Sequence, residues 1–364
     1  MKIKDWFWAL LGLIALIIRF FASQFPESTD RLYSKGLFPW IRISIDQTLG
    51  RLPFPSVYFF ILSVVMVLVY YFIQLRRRKS ARKKLGYSMQ AVLNGLGAII
   101  FFFLVLWGFN YQRTTIPNRM GFELLPLEES EVKSELFRAE QQATKLRPLI
   151  KQDTAAIIEG LQYEEVENRV REEMEQHLGL LGLEYSGKPR TKLFPPEGMM
   201  RRAGVLGIYW PFTGESYIDP SLHPLEKPFT IAHEMAHSVG VTNEGEANFV
   251  AWLVASQSDF VRLNYAAELR LMIYLMRDFA RMNPEEYAVW VSTLDRGIVN
   301  DILSIRAYAD RYPPISLEFS RASNDIFLKT QGVKEGIKSY QQLPMLVFAW
   351  RKSLQIDIGS EKND

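Results

Sequence analysis

The stretch FTIAHEMAHSVGVTNEGEANF, residues 229–249, sets two histidines around a glutamate and follows them with two further glutamates. Its reading decides whether the chain carries a metal centre or only a polar helix. His233 and His237 are four residues apart, so on a helix they project from one face, one turn above the other. That spacing lets both imidazoles reach a single tetrahedral zinc at about 2.0–2.1 Å. Glu234 points around the same side, where it cannot easily ligate together with both histidines. It can instead hydrogen-bond a water held by the metal, whose pKa falls toward about 7, and pass the proton to a leaving amine. The five-residue pattern alone is moderately specific, and the alternative is a helix whose histidines decorate a surface. Two observations weigh against that alternative. The chain has only four histidines, two of them in this pattern, and Ile231, Ala232, Met235 and Ala236 around them are apolar. A buried helix is therefore predicted, and a buried histidine pair without a partner is costly.

A third protein ligand is expected soon after. Gly240 ends the helix, and Asn243 can cap a second one carrying EGEANFVAWLVAS. Glu244 and Glu246 stand about 200° apart on such a helix, so only one can face the metal. Glu244 shares its face with the small residues Ala247, Asn248 and Ala251, which permit close approach to the first helix. Asn248 can then hydrogen-bond a ligand. Glu246 shares a face with Phe249, Val250 and Leu253, a pattern read as packing around an outward glutamate. This facing argument favours Glu244 and leaves Glu246 open.

The rest of the chain divides sharply by charge. Residues 1–109 carry 14 Lys/Arg against 4 Asp/Glu, leaving 29 against 36 for the remainder. The positive charge sits beside apolar runs and not along an aromatic-studded groove, so nucleic acid is not an expected partner. Three runs, 6–23, 57–74 and 91–111, approach the roughly 20 residues that cross a bilayer. Lys2 and Lys4 precede the first run and no small-residue cleavage site follows it, so a retained span is expected and not a cleaved leader. RRRKSARKK (76–84) carries seven positive charges in a short loop, which places that loop, and the N-terminus, on the cytoplasmic side. The loop 24–56 and everything after Tyr111 then lie outside. The absence of cysteine discriminates nothing here.

The expected organisation is a membrane anchor over 1–111 and a domain over 112–364, α+β but mostly helical. RTTIPNRMGFELLPLEES (113–130) reads as a linker. Helices are predicted from Glu131 to Ile150 and over 163–181, with a loop at 186–204. VLGIYWPFTGESYIDP (205–220) predicts two short strands or one bent strand. Further helices are predicted over 244–257, 260–281, 284–311, 320–331 and 333–353, with Asn283 capping before Pro284.

At residues 233–248 the chain resembles the glutamate-zincin metallopeptidases, whose third ligand begins an E-x-x-A-[DN] pattern, here Glu244-Gly245-Glu246-Ala247-Asn248. The resemblance implies metal ligands His233, His237 and Glu244, a water-activating Glu234, a zincin-like fold, Zn2+ as cofactor and a peptide or protein substrate. GVLGIYWPFTGESYIDP, EKPFTIAHEMAH and FLKTQGVKEGIKSYQQL also resemble a bacterial membrane-protein family catalogued as a domain of unknown function in the zincin-like clan. The edge strand that holds substrate in zincins would fall on VLGIYW, with a plain core strand as the alternative. Tyr217, His223, Tyr308 and Tyr340 can each supply an oxyanion donor. The expected function is a membrane-anchored zinc peptidase. A non-catalytic zinc-binding ectodomain for sensing or envelope assembly is the alternative, and a metal-free scaffold is a third reading.

Overall fold

The computed structural model describes residues 3–360, with side chains described for 4–354. It is mostly helical with one three-stranded sheet, and its residues group into two compact units. One unit takes in the chain up to Thr114 together with Ser186–Pro189 and Trp210–Glu215. The other takes in Thr115–Tyr185, Arg190–Tyr209 and the chain from Ser216 onward.

The first unit holds three helices long and apolar enough to cross a membrane: α1 (Phe7–Ala22, continuous with a 3-10 turn from Ile3), α3 (Val57–Arg76) and α4 (Ala81–Leu106). The third begins ten residues earlier than the apolar run predicted, because Ser80 accepts a hydrogen bond from the Lys83 N–H and caps it within the basic stretch. It ends at Leu106, short of the expected Tyr111, and a 3-10 turn, Gly108–Gln112, follows. α1 and α4 pack closely: a Cβ at Gly12 would overlap the Gly97 backbone, and one at Gly97 would overlap Trp8 and Ala9. Asn94 on α4 fastens the contact. Its Oδ1 accepts from the Trp8 and Ala9 N–H groups at 3.1 Å each, and its Nδ2 donates to the Asp5 carbonyl at 2.9 Å.

The segment 24–56, read as a loop, is largely helical. It contains Pro26–Thr29, a π-helical stretch Asp30–Leu37, and α2 (Phe38–Gln47). Its polar anchors explain why. The fully buried Arg42 on α2 donates to the Gly214 carbonyl at 2.5 Å and to Asp46 at 2.6 Å. Glu215 accepts from both the N–H and the hydroxyl of Ser56 at 2.8 and 2.7 Å. Only Arg42–Asp46 has helical spacing; the pairings to Gly214 and Glu215 are long-range, so no apolar pattern announced them.

In the second unit α5 (Glu129–Ile150) opens on a capping box made by Glu128 and Glu131. It is followed by α6 (Tyr163–His177), β1 (Thr191–Leu193), β2 (Gly207–Trp210) and β3 (Glu215–Ile218), of which Trp210 and Glu215 are grouped with the first unit. The predicted linker contains a helical turn, Ile116–Met120, capped by Thr115, and the predicted 186–204 loop contains β1. The sheet order is β1-β3-β2, with Thr191, Lys192 and Leu193 parallel to Ser216, Tyr217 and Ile218. β2 is thus an edge strand.

After the sheet come α7 (Lys227–Ser238), α8 (Glu244–Ser256) and α9 (Val261–Met282), whose apolar residues form the centre of the core. α10 (Pro284–Thr293), α11 (Arg296–Asp310), α12 (Leu317–Gln331) and α13 (Leu343–Ser360) complete the unit. The single helix predicted over 284–311 breaks at Leu294, which is extended, and Asp295 recaps α11 by accepting from the Gly297 and Ile298 N–H groups. The helix predicted over 333–353 likewise resolves into a 3-10 segment, Gly336–Gln342, and α13.

Candidate metal centre

α7 begins with Pro228 in its first turn and buries every residue from Pro228 to Ser238. It stops at Gly240, whose φ of 88° suits glycine. The Gly240 N–H returns to the His237 carbonyl, and the Val241 N–H returns to that of Ala236, the hydrogen-bond pattern of a Schellman stop. This reversal has a second effect. It places the Val241 carbonyl 2.7 Å from Nδ1 of His237. Asn243 then caps α8, accepting from the Gly245 and Glu246 N–H groups, so Glu244 enters at the first helical position. Gly245 is required beside it, because a Cβ there would overlap the Ser339 carbonyl.

These two helix ends bring His233, His237 and Glu244 together, with one ligand atom from each within 4.8 Å of the others. The two Nε2 atoms are 3.1 Å apart, and Glu244 Oε2 is 3.2 Å from each. His237 Nδ1 faces a carbonyl, which can only accept, so Nδ1 carries a proton. His233 Nδ1 faces Asn248 Oδ1 at 2.9 Å. The Asn248 amide is oriented by its other end, since Nδ2 donates to the Tyr340 carbonyl at 3.2 Å. His233 Nδ1 is therefore a donor too. In the neutral tautomers this turns two Nε2 lone pairs and a carboxylate oxygen toward one point, which is repulsive without a cation among them. One proton can join only two of the three atoms; a metal ion can serve all three. Ligands about 2.0–2.1 Å from a tetrahedral ion stand about 3.3–3.4 Å apart, so the triangle need open by only about 0.1–0.3 Å. The donor set, two imidazoles and a carboxylate, fits zinc.

In the metal-free chain the proton sits on the His237–Glu244 pair. Burial disfavours the His237 charge, but the Glu244 carboxylate outweighs it and raises the imidazole to about 9. Burial would likewise raise Glu244, yet the two histidines hold it well below the usual carboxylate range. Burial lowers His233. Glu234 is buried beside them, and burial pushes its carboxyl up to about 8. Its carboxylate has no hydrogen-bond partner among the described residues. It lies against Gly207 of β2, where any Cβ would overlap it, so the edge strand and the glutamate are neighbours.

Glu246 does not join the cluster. It is 5% exposed, and Oε1 accepts from the Ile116 N–H at 3.1 Å. The outward position expected from its apolar neighbours is therefore wrong: a backbone donor 130 residues away draws the carboxylate inward. Of the four oxyanion candidates, Tyr340 stands against the cluster. Its ring stacks on His233 with centroids 6.4 Å apart and planes 15° apart, and its hydroxyl accepts from Asn324 on α12 at 3.2 Å. Burial and then the Glu244 charge raise its phenol well above the usual range. His223 bonds Ser304 at 3.0 Å and packs its ring on Tyr308, while Tyr217 packs on Phe194. His177, the fourth histidine, lies 3.0 Å from the Glu173 carbonyl. Sequence reasoning missed the Val241 and Tyr340 carbonyls and Gly207. The first had a signal in the helix-stopping Gly240, and Gly207 lay within VLGIYW, already named as the edge strand; the Tyr340 carbonyl had none.

A family model described as "Protein of unknown function (DUF3810)" matches residues 33–348. The chain belongs to this family. The match takes in α3, α4, the four side chains of the centre and Tyr340, so the family is defined across both units. Comparison with curated proteins and with solved structures gives no match.

Proposed function

We propose that this member of the family is a zinc-dependent peptidase of zincin-like fold, anchored by α1, α3 and α4. Its N-terminus would be cytoplasmic, and residues 112–364 would lie outside the cytoplasmic membrane. One observation carries the reading: two imidazole Nε2 atoms and a carboxylate oxygen converge at 3.1–3.2 Å beside a glutamate that is not a member of the triangle. A site built only to hold metal has no use for that fourth group. His233, His237 and Glu244 would hold the ion, which when bound supplies the charge that polarises a peptide carbonyl and acidifies water. Glu234, free of other hydrogen bonds, takes the proton from the attacking water and delivers it to the leaving amine as the C–N bond breaks. β2 is an edge strand of the sheet and its Gly207 abuts Glu234, a placement that suits an extended peptide added as a further strand. The seven cations of 76–84 support the orientation.

A second reading, a non-catalytic zinc-binding ectodomain, is favoured by the depth of the centre, whose four residues are all nearly buried. Glu234→Gln separates the two. It keeps the shape of the side chain and removes the base, so zinc content should be unchanged while hydrolysis of a broad peptide library falls about 10²–10⁴-fold. Zinc retained with no hydrolysis by the unaltered chain would favour the non-catalytic reading, and no bound zinc would remove both.

A further inference from the structure

Between α3 and α4 only Arg77–Ser80 lie outside helix. Seven cations stand between Arg76 and Lys84, and all are exposed. No Asp or Glu occurs in the sequence from Gln47 to Phe122. Among the described residues none of the seven is ion-paired; Arg78 alone has a partner, the Tyr87 ring, at 4.8 Å. The turn is also held firmly. Tyr71 on α3 stacks on Tyr87 of α4 with centroids 5.6 Å apart and planes 11° apart, and its hydroxyl lies 2.8 Å from that of Ser88. Like charges crowded within about one Debye length, about 8 Å at physiological salt, repel unless counter-charge is supplied.

What can supply it is set by the helices on either side. α3 exposes nearly its whole apolar surface, Val67 at 66% and Phe72 at 56% among them, and such a surface needs hydrocarbon cover. Tyr70, Tyr71 and Tyr87 then mark the level of the lipid–water boundary. The cations lie just beyond it, where the phosphates within reach belong to lipid headgroups. We propose that the α3–α4 turn is a binding site for anionic phospholipids, recognising the headgroup phosphodiester and the net negative charge of the leaflet. Each basic residue held at such a surface strengthens the attraction about five-fold.

The test uses the full chain, purified in a neutral detergent, stripped of lipid and offered phosphatidylglycerol, phosphatidylcholine or inorganic phosphate at equal concentration. Retained lipid is counted by mass spectrometry, and the unfolding temperature is recorded. Phosphatidylglycerol should be retained and should raise the unfolding temperature, phosphatidylcholine should do neither, and the difference should vanish near 1 M salt, where the Debye length falls to about 3 Å. Equal retention of the two lipids at low salt overturns the proposal. Phosphate alone reproducing the stabilisation overturns the assignment to lipid. Replacing Arg77, Lys79 and Lys83 by Gln should weaken retention about 100-fold; a folded variant that retains phosphatidylglycerol like the parent also overturns it. The salt titration of the unaltered chain stands even if the variant fails to insert. None of these readouts depends on hydrolysis.

Discussion

Asn248 offers the sharpest test of how the centre is held, because its two ends do different things. Oδ1 fixes the His233 ring and Nδ2 satisfies the Tyr340 carbonyl, all in a setting where Asn248 is 3% exposed. Asn248→Ala removes both bonds. The half-buried Tyr340 carbonyl loses a partner, which costs at most about 1–3 kcal/mol of stability. The His233 ring becomes free to rotate and to adopt the other tautomer, and loss of such an outer support costs about 10–100-fold in metal affinity. Asn248→Asp splits these effects. It keeps an acceptor for the His233 N–H, so zinc affinity should stay within a few-fold of the parent. It also turns an oxygen toward the Tyr340 carbonyl, so stability should fall at least as far as in the alanine variant. Zinc affinity measured by competition with a chelator, beside unfolding midpoints for both variants, reads the two quantities separately. If Asn248→Ala binds zinc as the parent does, or if both variants lose affinity equally, the orientation argument fails.

Two further outcomes follow from the same geometry. Glu244→Ala should weaken zinc binding and abolish any hydrolysis. Glu246→Ala should leave zinc bound but lower the unfolding free energy by about 1–3 kcal/mol, the cost of orphaning the Ile116 N–H; loss of zinc from the second variant alone would reverse the assignment. His223 should make the fold acid-sensitive. Burial, with Arg201, Lys227 and Arg311 nearby, lowers it to about 4, below the 6.5 of the unfolded chain. The unfolded state therefore takes up a proton that the folded state refuses between pH 6.5 and 4. Stability should fall across that window by at most about 3 kcal/mol and level off below it. Unfolding of His223→Gln across the same pH range should lack this component; an identical pH profile in the two proteins would refute it.

Periodicity and caps made much of the fold legible. The helix starts at Asn243 and Pro284 and the stop at Gly240 fall where the sequence placed them, since each rests on a local hydrogen bond or a local φ. The errors share a different cause. The break at Leu294 and the split before Leu343 interrupt segments whose apolar pattern runs on regardless; the first is fixed by the Asp295 cap, and the second is a 3-10 segment with no side-chain cap. Residues 24–56 lacked a clean period because their fixed points are buried charges: Arg42 answers a carbonyl 172 residues on, and Ser56 answers a carboxylate 159 residues on. Such partners become visible only once the chain has folded.

The centre shows the same division. The four-residue spacing of the histidines and the small residues facing Glu244 are local, and they foretold which side chains meet. How the imidazoles are held was legible only in part: Asn248 was expected to hydrogen-bond a ligand and does so at His233, but the two backbone carbonyls that complete the arrangement were not foreseen. His237 is oriented by the backbone, through the Val241 carbonyl that the Gly240 reversal delivers, whereas His233 is oriented through a side chain, Asn248, itself set by a distant carbonyl. A substitution can remove the second support but not the first. The two ligands are therefore unequal under mutation. The His237 side should yield only to changes that spoil the helix stop, and the His233 side to changes at Asn248 or in the segment carrying Tyr340. That segment also joins α12 through the Tyr340 hydroxyl. A segment read as one long helix and found to open with a 3-10 stretch, Gly336–Gln342, thus sets the side chain that holds one of the two imidazoles.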